Sequence, residues 1–378
     1  QARTGALQEA RGTFETVLGQ SPNNLDALIG LADVSLRQGD AAGAEKAMGR
    51  ALAQRPKDLV LLKNFANLYL AVGKPDQAVA RLEQAQQADP ANQALVRLLA
   101  AVYTSAGQPL DALRLLADKG DAKDPAVQTQ QGEAELRAGR NEAAEKTFRA
   151  VADAAPAAAA YVNLGRALEA EGQLVPAADA FKKALALEPA NASAALGVAR
   201  VELLGLTAPV DPVRAKRAMD AVAKTLQQYP SGPESARLRA AVGLVTGQAP
   251  ASRKVLQSLY DAAPGAESVT DLATACRLTG DTKGAITLLR THLERYPKDL
   301  SVRLTLARYL MAERQPAAAV TELAKLVEQD WGNIDAHTDL AAALIQAGRA
   351  AEARTHAAAA AKARPDDERV KALVKAAK

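Results

Sequence analysis

One cysteine stands among 378 residues. Cys276 has no partner in the chain, so a disulfide framework is excluded and a small buried side chain is expected there. Aromatic residues are equally scarce, with 4 Phe, 7 Tyr and 1 Trp. A core so poor in aromatics and so rich in alanine suits closely packed helices rather than sheets. No apolar run reaches roughly 18 residues, so no segment reads as a membrane-spanning helix. The phosphate-loop, dinucleotide-fold, zinc-protease, serine-hydrolase and CxxC patterns are all missing. The three histidines, His292, His337 and His356, lie apart from one another and from the cysteine in sequence. Paired carboxylates fall on solvated helix faces, where they are ordinary. The expectation is a protein without catalysis, cofactor or metal.

Charge of one sign is also lacking. Lys and Arg number 47 against 43 Asp and Glu, a net +4. A phosphate-tracking surface needs a larger basic excess, interleaved with stacking rings. Most Tyr and Phe here already serve the apolar pattern, so nucleic acid is not the expected partner.

What the sequence does have is a unit of 34 residues, clearest at Leu59–Asn92. Leu62, Phe65 and Tyr69 recur at helical spacing and form one apolar stripe. Ala66 is small where a second helix must come close. Gly73 ends the first helix, since glycine enters the left-handed region freely. Ala78, Leu82 and Ala85 give the second helix its inward face, and Pro90 closes it. The pattern recurs along nearly the whole chain. Its eighth position is always Ala or Gly, and its twentieth is Ala at Ala44, Ala78, Ala112, Ala144, Ala177, Ala285, Ala319 and Ala353.

This pattern resembles the tetratricopeptide repeat (TPR), a helix–turn–helix unit with large residues at positions 4, 7 and 11, alanine at 20 and proline at 32. The resemblance implies an all-α, right-handed α-solenoid. Residues 1–24 read as half a repeat, with Gly5, Ala10 and Pro22 in register. Leu7, Phe14 and Val17 would then want a neighbour upstream, so the array is expected to start earlier in a longer protein. Repeats one to five fill 25–191, with a polar tail at Ala117–Ala126. A longer unit occupies 192–232, and its extra residues sit at Gly205–Pro212. Two prolines rule out a continuous helix there. A longer surface loop is the first reading; a bend or contact loop is the other. Repeats seven to ten fill 233–367, with Arg314 in place of one turn glycine and Trp331 in place of one proline. Trp331 is read as junction packing first and binding anchor second. Residues 368–378 form a polar capping helix.

The function expected is a non-enzymatic scaffold for a protein, peptide or polymer partner. In TPR proteins the first helices line a concave groove, and positions 2, 5, 9, 12 and 13 look into it. Lys63, Asn67, Arg97, Arg166, Arg200, Arg237, Arg277 and Arg308 fall on such positions. The first reading is that arginine stems cover alanine-rich surface, or that Glu234, Glu267 and Asp271 neutralise the row. The sharper reading is that the groove from Arg166 to Arg308 binds an anionic segment or an acidic polysaccharide. The clamp of chaperone-tail TPR domains is incomplete: Lys63 and Asn67 match its first pair, whereas Leu98, Ala126 and Gln130 occupy the later places. His292–Gln329 resembles repeats of bacterial TPR lipoproteins of PEP-CTERM/exosortase and exopolysaccharide systems. That implies a periplasmic or outer-membrane scaffold in exopolysaccharide assembly or export; the alternative is a cytosolic adaptor.

Overall fold

The computed structural model describes residues 2–206 and 212–378. Residues 207–211, the middle of the expected insertion, lie outside the described part. Among the described residues there are helices and turns and no strand. A lone helix α1 (Ala2–Gln20) comes first. Helix pairs follow: α2 (Leu25–Arg37) with α3 (Ala41–Gln54), α4 (Leu59–Ala71) with α5 (Pro75–Ala88), and α6 (Gln93–Ser105) with α7 (Pro109–Lys119). Next are α8 (Pro125–Arg137) with α9 (Asn141–Ala154), α10 (Ala158–Ala170) with α11 (Leu174–Leu187), and α12 (Ala192–Leu204) with α13 (Pro212–Gln228). The last pairs are α14 (Pro233–Val245) with α15 (Ala249–Ala262), α16 (Ala266–Leu278) with α17 (Thr282–Arg295), α18 (Leu300–Ala312) with α19 (Pro316–Gln329), and α20 (Ile334–Gln346) with α21 (Ala350–Ala363). The short α22 (Glu368–Ala376) ends the series. The fold is an all-α solenoid of helix–turn–helix pairs.

Local chemistry sets these boundaries. Asp or Asn precedes most first helices, and its side chain accepts a first-turn N–H: Asp58 from Val60 and Leu61, Asn191 from Ala194, Asn333 from Ala336. Most first helices end in a left-handed residue, such as Gly73 at φ 72°, whereas α12 ends at Gly205 with φ −71°. Arg314 takes the left-handed conformation at φ 55° with a full side chain. Helix α7 is three residues shorter than the 14-residue α5, where the polar Ala117–Ala126 tail begins.

The eighth and twenty-fourth residues of a unit meet inside each pair. Where residue 24 is Phe, residue 8 is Gly. A methyl on Gly165 would stand 2.7 Å from the Phe181 ring, and one on Gly132 would stand 2.7 Å from Phe148. Where residue 24 is Leu, as in Leu82, Leu289 and Leu323, residue 8 is Ala. Total volume is conserved while its distribution between the helices changes.

The chain divides into two compact units, residues 1–106 with 114–121, and residues 107–113 with 122–378. In the first unit Leu28, Leu62, Leu82 and Leu99 are buried, as are Phe65 and Tyr69, whose rings lie 4.3 Å apart. Phe14 of α1 packs against the backbone of Gly30, and Leu18 is buried, so the half-repeat uses one of its faces. In the second unit Phe148 and Phe181 fill one part of the apolar seam and Leu272, Leu289, Leu306 and Leu323 another, as separate clusters. Cys276 is buried in that seam. Burial raises its thiol pKa, which keeps it a packing residue rather than a thiolate. Val370 of α22 is buried, whereas Lys371, Lys375 and Lys378 are exposed.

Candidate functional site

Within the second unit, first helices touch their successors: α8 with α10, α10 with α12, α12 with α14, α14 with α16, α16 with α18 and α18 with α20. They form an inner layer, and their positions 2, 5, 9 and 12 supply its charged surface.

Five of the eight sequence-selected side chains lie on this surface. Arg166 of α10 donates through Nη2 to Glu267 Oε1 of α16 at 2.7 Å, across 101 residues. Arg200 grips Glu169 with two bonds of 2.6 Å. Arg237 donates from Nη1 to Glu267 at 2.7 Å and from Nε to Asp271. Arg308 donates to Asp339 at 2.7 Å. Arg277 is exposed, 5.8 Å from the Tyr309 ring centre. Thus Arg166, Arg200, Arg237 and Arg308 each hold a carboxylate of the same chain. The other three side chains belong to the first unit. Lys63 and Asn67 are exposed one turn apart on α4, and Arg97 is half-buried on α6.

Glu267 is the hub. Burial works against its charge, but Arg166, Arg137 and Arg237 outweigh it and hold the carboxyl at about 2. Arg237 is correspondingly driven up by Asp271 and Glu267, against the cost of its own burial. Glu133 of α8 lies near Arg166 and Arg137, yet burial raises its pKa.

The second unit also closes on itself at a point that sequence reading does not reach. Arg140, after α8, donates from Nε to Asp330 Oδ2 at 2.8 Å and from Nη2 to Oδ1, a two-bond fork across 190 residues. The Asp330 side chain is fully buried. Asn333 Nδ2 donates to the Ala138 carbonyl at 2.8 Å. Arg364 donates to Asp335 at 2.7 Å and to Glu142 at 3.4 Å. Lys298 pairs with Asp111 at 2.8 Å. Gly139 lies beneath Asn333 and Leu304, and its φ of 73° makes glycine the favoured residue in this turn. Together these contacts form a largely polar clasp that joins Asp111 of α7 and the α8–α9 pair to the turns before α18 and α20 and to Arg364 after α21.

His337 and His356, separate in sequence, meet in the fold. They are positions 4 and 23 of one unit, facing across its helix pair. Their Nδ1 atoms are 2.9 Å apart, and His337 Nε2 is 2.9 Å from the Trp331 carbonyl. The ring centres are 5.1 Å apart, which aligns the two nitrogens as one N–H···N bond. His337 then donates from Nε2 and accepts at Nδ1, and His356 donates. Trp331 packs edge-on to His337 but stays 59% exposed. His292 is buried between Tyr260 and Asp299, each 3.3 Å from a ring nitrogen. Among the described residues no group of three or more His, Cys, Asp or Glu side chains is placed to hold a metal ion, and no helix is long and apolar enough to cross a membrane.

A family model described as tetratricopeptide repeat matches residues 2–67, 69–129, 277–331 and 310–377, and a second of the same description matches 129–194. No curated protein matches the chain in sequence. Among solved structures, yeast Tom70 is 16% identical, with 94% of this chain and 88% of that one covered and a TM-score of 0.45. A tetratricopeptide repeat protein from Parabacteroides merdae is 17% identical, with coverage of 68% and 98% and a TM-score of 0.47.

Proposed function

Because this chain belongs to the tetratricopeptide repeat family, we propose that it is a non-enzymatic scaffold that seats a protein partner on the inner face of its first helices. One observation carries this reading. Each unit packs through positions such as 4, 7, 8 and 11, while Asn67, Arg277 and Arg308 stand exposed at 9 and 12. Long polar side chains there do no work for the apolar seam, and a partner segment can reach them. A photo-reactive residue placed at Asn67 or Arg277 should give a discrete adduct in the native cell. Positions Lys182 and Lys254, exposed on second helices, should give none. A discrete adduct only at Lys182 or Lys254 would move the binding face and overturn the proposal.

A finer reading places the scaffold in the bacterial envelope, in exopolysaccharide assembly or export, with an anionic polysaccharide among its ligands. The likeness of His292–Gln329 to exopolysaccharide-system lipoproteins supports it; a cytoplasmic adaptor is the alternative. Fractionation of the native cell decides between them, and recovery in the cytoplasm would end the envelope reading.

A further inference from the structure

We infer that Arg137, Arg166 and Arg237 form a carboxylate-binding cleft whose resident is the chain's own Glu267, and that an acidic peptide segment of a partner takes its place. This rests on the inner face being the binding face, and adds the ligand class and the residue that controls access.

Three observations converge on it. Both Glu267 oxygens are engaged, each at 2.7 Å, by guanidiniums on two different helices, α10 and α14. A carboxylate shared between two guanidiniums by charge-assisted hydrogen bonds is one way a protein grips an acidic ligand. A third guanidinium, Arg137 on α8, adds its field to Glu267 and makes no salt bridge among the described residues. Its other acidic neighbour, Glu133, is a poor counter-ion because burial disfavours its charge. Finally, the pair stays open to water, with Arg166 40% and Glu267 44% exposed.

Exposure makes the resident replaceable. The arginines hold Glu267 charged, yet at this exposure water and a competing carboxylate can reach the same donors. The α16 helix does not need Glu267 for packing, because Ala266, Val269 and Leu272 supply its buried side. Arg140–Asp330 differs: its carboxylate is fully buried, so it stays closed while Glu267 exchanges. The clasp therefore keeps α10 and α14 opposite α16 and holds the guanidiniums ready, which lowers the cost of binding. Asp271 remains on Arg237 throughout, so an incoming acid replaces one carboxylate and does not flood the site with charge.

The test titrates a fluorescein-labelled hexaglutamate peptide into the full chain at low ionic strength, with hexaglutamine as the neutral control. Glu267→Gln keeps the shape and removes the resident charge; Glu267→Ala removes its reach. Both should bind hexaglutamate about tenfold more tightly than the parent, the size of one charge-assisted contact. Adding Arg166→Gln and Arg237→Gln should abolish the gain, and salt should shrink it as the Debye length falls from about 30 Å at 0.01 M to about 3 Å at 1 M. Equal affinity in parent and both Glu267 variants, with circular dichroism unchanged, would overturn the inference. So would a gain that survives loss of the two arginines, and a polyuronate that outcompetes the peptide would overturn the peptide assignment. The photo-adducts at Asn67 and Arg277 read the wider proposal independently: adducts without a Glu267 effect leave the scaffold standing and remove this cleft.

Discussion

Asn333 and Ala138 are 195 residues apart, yet the Asn333 amide donates to the Ala138 carbonyl at 2.8 Å. The same side chain accepts from Ala336 N at 2.9 Å and so caps α20. One residue thus starts a helix and fastens the far end of the unit. Two substitutions test these roles. Asn333→Asp keeps the cap acceptor but turns a buried carboxylate oxygen toward the Ala138 carbonyl, acceptor against acceptor; Asn333→Ala loses both bonds without burying a charge. We expect Asn333→Asp to cost at least as much as Asn333→Ala, about 1–3 kcal/mol, in urea denaturation. An Asn333→Asp variant as stable as the parent would show that the bond to Ala138 contributes nothing.

The Arg140–Asp330 fork calls for a different pattern. Asp330→Ala strands a half-buried guanidinium and should cost about 3 kcal/mol. The double variant Arg140→Met with Asp330→Leu removes both charges and should recover most of that loss, because desolvation offsets the attraction of a buried pair. Denaturation of the two singles and the double completes the cycle. A double variant as unstable as the worse single would contradict this account.

Gly165 and Phe181 predict an overpacking effect. A methyl on Gly165 meets the ring at 2.7 Å, far inside normal contact. Gly165→Ala should destabilise by about 1–3 kcal/mol despite the better helix propensity of alanine. Adding Phe181→Leu restores the Ala–Leu pairing seen at Ala66 and Leu82 but leaves the space beside Gly197 unfilled, so it should return only part of the loss. Thermal melts of the three variants check this directly.

The histidine pair gives a pH dependence. Burial lowers the pKa of both His337 and His356 below the ordinary 6.5, and for His356 the His337 charge adds to the effect. A second proton would also set two donors against each other between the Nδ1 atoms. The unfolded chain therefore binds protons more readily than the folded one. Stability from the pair is complete above 6.5 and is lost as pH falls below it. His356→Gln keeps an N–H for His337 and cannot titrate. Its urea midpoint should change less than that of the parent between about pH 7.5 and 5.5. An identical slope in the two proteins would exclude the pair as its source.

The repeat period was enough to place the helix pairs, because each turn glycine, capping Asp or Asn, and closing proline acts within a few residues. Leu62, Phe65 and Tyr69 could be assigned to the core for the same reason. The acidic neighbours of the groove arginines are also legible: Glu234, Glu267 and Asp271 fall beside them in the repeat pattern, and Glu267 and Asp271 do take Arg237. Legibility stopped at the partner of Arg166, 101 residues away, and at Arg140 with Asp330. A period identifies the neighbour in the next unit. Which residue lies opposite several units later depends on small rotations summed over every junction. The meeting of His337 with His356 was closer to hand, since positions 4 and 23 of one unit face each other, but neither residue is marked by the repeat pattern.

A repeat array ordinarily gains or loses a unit at little cost, since each unit answers only to its neighbours. The clasp removes that freedom from the second unit. If one pair were deleted between Ala138 and Asn333, the amide would arrive a unit early, and Arg140 would face a residue other than Asp330. Duplication would carry them past each other. The clasp therefore fixes the number of repeats between residues 138 and 333 in its own right, and the freedom to gain or lose a unit is confined to repeats outside that span.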